Sequence, residues 1–282
     1  MLILLLDAYN LLYRSFVTLP VAITDQSGRP INAVYGMISA TLRLQSDVQP
    51  DRILAAFDTP EVPTFRHELY AGYQGHRGPL GGDQAEEFAR QVRLAQAGLP
   101  AVGITAAALP RFEADDIIGS VAREAQEAGD RAIIVSTDRD MLQLVRPGVE
   151  VLVPGSRAAR YATAESVRDR MGVDPEFVTT LKALAGDSSD NIPGVQGIGS
   201  KTAVHLIERF GSLESIYAAM HELPARPAAA LQRQRDEAFL FRQVVTIVQN
   251  LSLDAWREPS TSPPIAPGSR VREVIDVMLG DT

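Results

Sequence analysis

Three carboxylates stand within four positions of the chain in the stretch "RFEADDIIGSV", residues 111–121. Glu113, Asp115 and Asp116 directly precede apolar residues that favour burial, where like charges repel one another and each needs a partner. A divalent metal ion would supply the missing positive charge, and metal ions bound by carboxylates can activate water for hydrolysis. The spacing therefore predicts a metal-binding cluster at the start of a helix.

Other acidic residues follow segments that read as buried strands. Asp7 comes after "LILLL", Asp58 after "RILAAF", and Asp138 and Asp140 after "RAIIVS". The carboxyl ends of parallel strands lie at one edge of an α/β sheet, where ligands bind, so these acids would converge there. The helix that starts near Asp115 would bring its cluster to the same edge, with its dipole favouring negative charge.

Two acids in "GDSSDN" complete a candidate metal set of nine: Asp7, Asp58, Glu113, Asp115, Asp116, Asp138, Asp140, Asp187 and Asp190. The chain has no Cys and four His, none of them in a ligand-like pair. A set made only of oxygen ligands favours Mg²⁺ or Mn²⁺ over Zn²⁺, and nine carboxylates exceed the needs of one ion. Taken singly, each acid could instead cap a helix or a turn, as Asp187 and Asp190 illustrate.

Alternating patterns predict the elements that would position these acids. Strand-like runs at 2–6, 52–57, 100–105, 131–136 and 149–154 alternate with helical patterns at 33–45 and from Asp115 to about Ala128. Such alternation favours a mostly parallel sheet flanked by helices. From about residue 173 the chain reads as helices, one of them the long "PAAALQRQRDEAFLFRQVVTIV". We expect an α/β domain over 1–172 and a helical domain over 173–282 with a loosely attached tail, in which "VREVIDVML" could dock as a short helix.

Two further segments could handle a substrate. Residues 61–99 break the alternation with a Gly/Pro-rich centre between helix-like stretches, which indicates either mobile surface or a substrate-handling element. The stretch "NIPGVQGIGSKTA", residues 191–203, places three glycines before a helix that starts near Ser200. Exposed N–H groups at a helix N-terminus bind phosphate without reading bases, although the same residues could form an ordinary turn.

Composition limits the function less than the motifs do. A net charge of −8 and a pI near 5.1 argue against a polyanionic partner. Setting the nine acids aside leaves the chain near electrical balance, and bound cations would add positive charge. The apolar start "MLILLL" is too short for a membrane span and lacks a basic leader, so we expect a buried strand. The lack of Cys fits a reducing compartment, and we expect a cytoplasmic protein without a membrane partner.

The motifs together carry a family resemblance. The segments "LLLDAYNLLYR", "FRHELYAGY", "FEADDIIG", "STDRDMLQLV" and "LKALAGDSSDNIPGVQGIGSKTA" resemble the bacterial 5′→3′ exonuclease and flap endonuclease family from about residue 2 to 250. That family includes the N-terminal nuclease domain of bacterial DNA polymerase I and stand-alone relatives. The resemblance implies a PIN-like α/β domain with a helical arch at about 61–99, and a helix–three-turn–helix domain that grips DNA. It implies a monomeric enzyme that hydrolyses DNA with the help of two metal ions. The expected substrates are DNA molecules with 5′ flaps, 5′ overhangs or nicks, and the expected roles are primer removal and repair.

The resemblance also assigns roles to individual residues. The nine acids match the family's metal positions, with Asp187 and Asp190 in the second site. Arg14 and Lys182 match residues that contact the scissile phosphate, and Arg77 matches an arch arginine; these three are the candidate catalytic residues. The candidate DNA-binding residues are Arg66, Tyr73, Gln74, Gly197, Gly199, Ser200, Lys201 and Thr202. The backbone around Val195 and Ile198 matches a loop that binds K⁺ through carbonyl groups.

The sequence departs from the family pattern in two places. Tyr73-Gln74 stands where the family usually reads Tyr-Lys, which removes a cation, and "AVGITAAALPRF" looks several residues longer than usual. Two alternative functions follow: a branched-DNA-binding relative that cleaves poorly, and an RNA-cleaving PIN-type nuclease. The complete set of repelling acids disfavours the first alternative, and the DNA-gripping segment "GVQGIGSK" disfavours the second.

Overall fold

The structure is a computed structural model that describes residues 1–76, 78, 81–154, 160–253, 256, 262, 265–266 and 268–280. Its six strands are β1 (Leu2–Asp7), β2 (Arg52–Phe57), β3 (Thr105–Ala108), β4 (Arg131–Val135), β5 (Val149–Val153) and β6 (Arg160–Ala162). They form one sheet in the order β3-β2-β1-β4-β5-β6, in which only β6 runs antiparallel to its neighbour. The central strand β1 pairs with β2 on one side and β4 on the other, so Leu4 lies opposite both Ile53 and Ile133.

The helices around and beyond this sheet are α1 (Ala8–Thr18), α2 (Asn32–Val48), α3 (Phe65–Leu69), α4 (Gly82–Gly98), α5 (Ala114–Glu127), α6 (Ala164–Met171), α7 (Val178–Ala185), α8 (Ser200–Phe210), α9 (Leu213–Ala218), α10 (Ala225–Arg233), α11 (Arg235–Val245) and α12 (Val271–Leu279). The mostly parallel α/β architecture followed by a helical region agrees with the fold class predicted from the sequence. No described helix combines the length and the apolar character that crossing a bilayer would require.

The central strands are apolar throughout because both faces of the sheet are covered. Successive side chains of a strand point to opposite faces. Ile3 and Leu5 of β1 face α5 and the helical region, in one core cluster. Leu4 and Leu6 face the other way, into a second cluster with α1, α2 and α4. The sheet is thus packed between two hydrophobic cores, and the polar residues lie at the edge formed by the carboxyl ends of the strands.

Two of the predicted elements differ from the structure. The predicted strand at 100–105 is a 3₁₀ turn at Leu99–Val102 followed by β3, because Pro100 lacks an N–H and Gly103 turns the chain with φ 76°. The long helix predicted after residue 227 is divided at Gln234 into α10 and α11. The Gln234 side chain accepts a hydrogen bond from Gln196 N and donates one to Gln196 O. That pairing anchors the break to the glycine-rich loop.

The helix α12 packs on the α/β domain, against α2 and α4. Its buried residues Val274, Ile275 and Met278 join the core that covers the second face of the sheet. Contact with α4 is close, since a Cβ on Gly98 would lie 2.8 Å from Met278 Cβ. Of the two possibilities that the sequence left open for this segment, a loosely attached tail and a docked short helix, α12 corresponds to the second, and it docks on the α/β domain.

In the segment predicted to form an arch, residues 61–99, the described residues form the short α3, a turn and the longer α4. Most of α4 is a packed helix, with Phe88, Val92 and Ala95 in the second core. The short α3 instead contacts α11 of the helical region, where Tyr70 stacks edge-on against Phe241 at 5.5 Å. Between α3 and α4 lies a turn at residues 70–76, which we call the covering turn because it lies over the acidic site described below.

Candidate functional site

Local hydrogen bonds bring the predicted acids to the carboxyl edge of the sheet. Asp7 ends β1, and its carboxylate accepts hydrogen bonds from Ser136 Oγ at 2.6 Å and Asn10 N at 3.2 Å. Asp58, just after β2, accepts a hydrogen bond from Ala114 N at 2.7 Å and so draws the N-terminus of α5 to the same edge. The convergence predicted for the strand ends is therefore present, with α5 joined to it.

Burial makes the ionised form of the acids at this edge less favourable, which raises their pKa values. Burial raises the pKa of Asp7 to about 7, with further increases from the charges of Asp58 and Asp138, against the lowering effect of Ser136. Burial also raises the pKa of Asp115 well above its ordinary value, and the charges of Asp138 and Asp7 add to the increase. These carboxylates lack sufficient positive charge nearby, which is the condition that a bound cation relieves.

A second group of acids lies beside the first. One carboxylate oxygen each of Asp140, Asp187 and Asp190 lies within 4.8 Å of the others, a spacing that could hold one metal ion. The buried ammonium of Lys182 forms ion pairs with Asp140 and, at 2.5 Å, with Asp187. Burial opposes the charge on Lys182, but these two carboxylates more than offset it and raise its pKa. Lys182 therefore supplies part of the positive charge that this group needs.

A tight loop after α7 positions Asp187 and Asp190. Asp187 N donates to Ile192 O, and Ile192 N donates to Asp187 O, each at 2.8 Å. The loop closes through Gly186 and Gly194, both with positive φ. A Cβ on Gly194 would lie 2.3 Å from Gly186 N, so only glycine fits there.

The covering turn binds both groups of acids. Tyr73 is buried, and its hydroxyl donates to Glu113 Oε2 at 3.1 Å. Gln74, with φ 53°, donates from its backbone N to Asp190 O and from Nε2 to Asp190 Oδ1, each at 3.0 Å. Asn191 Nδ2 donates to Gly72 O at 2.6 Å. Tyr73 and Gln74, predicted to contact DNA, are thus hydrogen-bonded to candidate metal ligands in this arrangement.

Asp116 departs from its predicted role as a metal ligand. Its carboxylate is fully buried and accepts four hydrogen bonds, two of them from Arg66 at 2.7 Å. The other two come from Glu113 N at 3.0 Å and Val248 N at 2.8 Å. An ionised carboxylate has about four lone-pair sites, so none remains for a metal ion. The prediction that metal compensates Asp116 is wrong, because Arg66 does so.

Arg66 likewise departs from its predicted role in DNA binding. Its side chain is 3% exposed, so it lies out of reach of a surface ligand. It is also 3.3 Å from Glu113 Oε2, and its charge acts to lower the pKa of Glu113. Burial outweighs that effect, and the pKa of Glu113 rises to about 7. The guanidinium of Arg66 thus supplies the positive charge that holds Glu113 and Asp116 together at the start of α5.

The remaining predicted residues lie in three places. Arg14 is exposed on α1, and its Nη1 donates to Pro154 O at 3.0 Å, just beyond β5. The glycine-rich loop exposes its predicted phosphate-binding residues at the N-terminus of α8: Gly197, Gly199, Ser200 and Lys201, with Thr202 half-buried. Val195 and Ile198, predicted to bind K⁺, bury their side chains in the core. Arg77 lies outside the described residues.

Sequence reasoning missed several residues that hold the acids in place. Ser136 and Asn10 orient Asp7, and the Asn10 side chain also accepts from Thr137 Oγ1 at 2.8 Å. Asn191 is the first residue of the glycine-rich stretch at 191–203, and the sequence pattern predicts no separate role for it. The one signal in the sequence that could have indicated these residues is that each lies close to a predicted ligand, near the end of a strand or within an acidic loop. Side-chain direction, which decides their partners, is set by packing.

The donor set fits hard divalent cations. Every candidate ligand is a carboxylate oxygen, and Mg²⁺ and Mn²⁺ prefer such ligands. Burial raises the pKa of Asp7, Asp115 and Asp140, and neighbouring carboxylates add to the increase, so a bound cation would favour the charged form of each. The residues that fit are Asp7, Asp58, Glu113, Asp115 and Asp138 on one side and Asp140, Asp187 and Asp190 on the other.

Comparison with known proteins follows the two halves of the fold. Residues 2–172 match the family model of the 5′-3′ exonuclease N-terminal resolvase-like domain, and residues 173–264 match that of the 5′-3′ exonuclease C-terminal SAM fold. DNA polymerase I of Bacillus caldotenax is 38% identical over 259 residues, which cover 89% of this chain and 29% of that protein. The chain thus spans less than a third of this relative.

Solved structures of phage proteins share the fold. The T5 5′-exonuclease with bound zinc aligns with a TM-score of 0.71 at 22% identity, covering 100% of this chain and 98% of that one. The bacteriophage T5 flap endonuclease, in a complex with DNA and metal ions, aligns with a TM-score of 0.69 at 20% identity and covers 99% and 98% of the two chains.

A resolvase-like sheet followed by a SAM-fold helical domain defines the class of 5′-3′ exonucleases. The chain belongs to the 5′-3′ exonuclease family, as the match over both halves shows.

Proposed function

We propose that this chain hydrolyses DNA phosphodiesters at 5′ ends and 5′ flaps as a monomeric, cytoplasmic enzyme of replication and repair. The observation that carries the proposal is the convergence of carboxylates at the sheet edge, with oxygens of Asp140, Asp187 and Asp190 within 4.8 Å of one another. Family membership and the DNA-bound phage relative support DNA as the substrate.

The proposal assigns Mg²⁺ or Mn²⁺ to the two groups of acids. Ions held there would activate water and stabilise the leaving oxygen of the phosphodiester. Asp7, Asp58, Glu113, Asp115 and Asp138 would hold one ion, and Asp140, Asp187 and Asp190 the other. Asp116 is left out, because Arg66 and two backbone amides use its lone pairs.

The role proposed for Lys182 follows from its ion pairs. In the metal-free molecule its ammonium neutralises Asp140 and Asp187. Asp140 and Asp187 would hold a divalent cation, and Lys182 would then be able to direct its ammonium at a phosphate. Arg14, exposed at the same edge of the sheet, would add a second cation for the scissile phosphate. Arg77 keeps its proposed role as an arch arginine.

The N-terminus of α8 is the proposed grip on duplex DNA. Gly199 is its N-cap and makes no side-chain cap bond, so the first N–H groups of α8 are available to a phosphate. Lys201, exposed in the first turn, would add a positive charge. The proposal includes K⁺ held by carbonyls at Val195 and Ile198. The Val195 carbonyl accepts from Ile198 N at 2.9 Å and retains a second lone pair.

Cleavage of a labelled 5′-flap DNA tests the proposal. We expect cleavage with Mg²⁺ or Mn²⁺ and none with EDTA. Asp140→Asn should lower the rate at least about a hundredfold, because a metal ion supplies several kcal/mol of charge stabilisation. Asp47→Asn is the matched control, since Asp47 is exposed near the end of α2. It should cleave at the parent rate.

The same substrates separate the alternatives. Tight binding of the flap without cleavage in either metal would favour a branched-DNA-binding protein. Faster cleavage of an RNA flap than of the matching DNA flap would favour an RNA nuclease. Equal DNA affinity in K⁺ and Na⁺ at the same ionic strength would remove the K⁺ assignment while leaving the nuclease proposal in place.

A further inference from the structure

The buried pair of Arg66 and Asp116 joins three separate segments of the molecule. Arg66 belongs to α3, which leads into the covering turn, and Asp116 lies in the first turn of α5. Arg66 also donates from Nε to Val244 O at 2.9 Å and from Nη2 to Thr246 O at 3.2 Å, where α11 ends. The start of α5, the helix α3 that leads into the covering turn, and the end of α11 in the helical region therefore meet at one ion pair.

Both members of the pair have their bonding capacity filled. A guanidinium has five N–H donors in a fixed fork. In Arg66 they face the two carboxylate oxygens of Asp116, the carboxylate of Glu113 and two backbone carbonyls. Asp116 in turn accepts four hydrogen bonds, as described above. A closed network of this kind has one preferred geometry, because any rotation leaves a buried polar group unpaired.

The network fixes the residues that begin α5. Asp116 accepts from Glu113 N at 3.0 Å, which completes a capping box with Glu113 as the N-cap residue. Arg66 and Tyr73 both contact Glu113 Oε2. Asp115 lies between the two capping residues, so its backbone is held by the same bonds. Glu113 and Asp115 are proposed metal ligands. Asp116 has no lone pair left for a metal ion, and Arg66 has no N–H donor left for DNA.

We propose that Arg66 and Asp116 are a positioning pair for the cleavage reaction, which fixes the start of α5 so that Glu113 and Asp115 point their carboxylates at the metal ions. The inference rests on the proposed metal-dependent function. It goes beyond that function by assigning to Asp116 and Arg66 an indirect role through Glu113 and Asp115.

A purely structural role would predict a different set of effects. Breaking a buried ion pair lowers stability in either case, because one charge is left unpaired. Only a positioning role requires that the folded variant also bind metal more weakly, as happens when residues that orient metal ligands are replaced. Metal affinity measured without DNA therefore distinguishes the two roles and does not depend on cleavage.

The experiment measures Mn²⁺ binding by calorimetry and flap cleavage by steady-state kinetics, both below the melting transition. Asp116→Asn is expected to weaken Mn²⁺ binding at least about tenfold. It should lower kcat with little change in KM, because neither residue touches the substrate. A double variant, Arg66→Gln with Asp116→Asn, removes both charges of the pair together, so the net charge near the metal ligands is unchanged, and it keeps amide donors and acceptors. It provides a second test if Asp116→Asn does not fold.

The matched control is Gln91→Leu, which removes a buried polar network in another part of the molecule. Gln91 is fully buried and bonds Ala33 N at 2.8 Å and Asn32 Oδ1 at 3.1 Å. It should lower the melting temperature and leave Mn²⁺ affinity unchanged. Parent-like Mn²⁺ affinity and kcat in a folded Asp116→Asn or double variant would overturn the positioning role. If the parent protein binds Mn²⁺ but does not cleave DNA, the proposed nuclease function alone is contradicted. If the parent protein binds no Mn²⁺, both the nuclease function and the positioning role are contradicted.

Discussion

Gln74 lies in the candidate site at a position where the family resemblance of the sequence predicts a lysine. Its amide donates to Asp190 Oδ1 and to the Tyr73 hydroxyl, each at 3.0 Å. A lysine at this position would add a full positive charge beside Asp190, and later beside a phosphate that gains charge in the transition state. The amide offers only a dipole for the same purpose.

We predict that Gln74→Lys accelerates single-turnover cleavage of a 5′ flap by about tenfold, which is less than the roughly hundredfold effect of a well-placed donor. Saturating enzyme separates chemistry from binding. Gln84→Lys, the same change at an exposed position of α4, is the matched control and should leave the rate unchanged. A Gln74→Lys rate at or below that of the parent would show that another cation, such as Arg77, already fills the role.

Lys182 is the second residue whose effect can be stated in advance. Removing its ammonium leaves Asp140 and Asp187 facing each other without their ion-pair partner. We predict that Lys182→Met lowers the melting temperature in EDTA, and that Mg²⁺ raises it more in the variant than in the parent. Thermal melts with and without Mg²⁺ check this. An equal Mg²⁺ shift in both proteins would mean that Lys182 and the metal do not share these carboxylates.

At the scale of the element, the start of α8 and the loop before it form an exposed surface, held in place by buried Val195 and Ile198. We predict that Lys201→Ala weakens binding to duplex-containing DNA regardless of sequence, and reduces the slope of log K against log salt by about one counterion. Arg43→Ala, an exposed cation on α2, is the control and should leave the slope unchanged. An unaltered slope for Lys201→Ala would place Lys201 outside the interface.

The helix α12 shows how a distant segment stabilises the sheet. Ile275 is 1% exposed within the core on the second face of the sheet. We predict that Ile275→Ala lowers the free energy of unfolding by about 2–5 kcal/mol, the range for large-to-small changes in a packed core. Exposed Val277→Ala on the same helix is the control, with an expected effect below about 0.5 kcal/mol. Urea denaturation of both variants would decide, and equal midpoints would contradict the docking of α12.

At the scale of the whole molecule, the acidic edge makes stability depend on pH and metal together. Burial raises the pKa of Asp7 and of Asp140 to about 7 in the folded chain, against an ordinary value of 3.8. Between those values the folded state binds more protons than the unfolded state, so stability falls as pH rises. We predict that the melting temperature in EDTA declines from about pH 4 to 7, and that Mg²⁺ reduces the decline, because metal replaces protons on these carboxylates. Melts across this range at constant ionic strength test it, and parallel curves with and without Mg²⁺ would contradict it.

The sequence by itself determined the sheet and the position of most acids along it. The apolar runs before Asp7, Asp58 and Asp138 predict strands, and parallel strands must bring their carboxyl ends to one edge. The motifs also predicted the family, which the comparison confirmed. These features depend on local pattern and on sheet topology, both of which a single sequence carries.

Only the tertiary structure decided what each charged side chain faces. Asp115 and Asp116 are adjacent and chemically identical, yet successive residues of a helix point about 100° apart. Asp115 is therefore electrostatically coupled to Asp138 and Asp7, while Asp116 meets Arg66. Arg66 and Asp116 are fifty positions apart, and their partners at Val244 and Val248 lie more than a hundred further on. Such contacts follow from how the elements pack, because the partner of a buried charge is set by three-dimensional proximity, which local spacing does not encode.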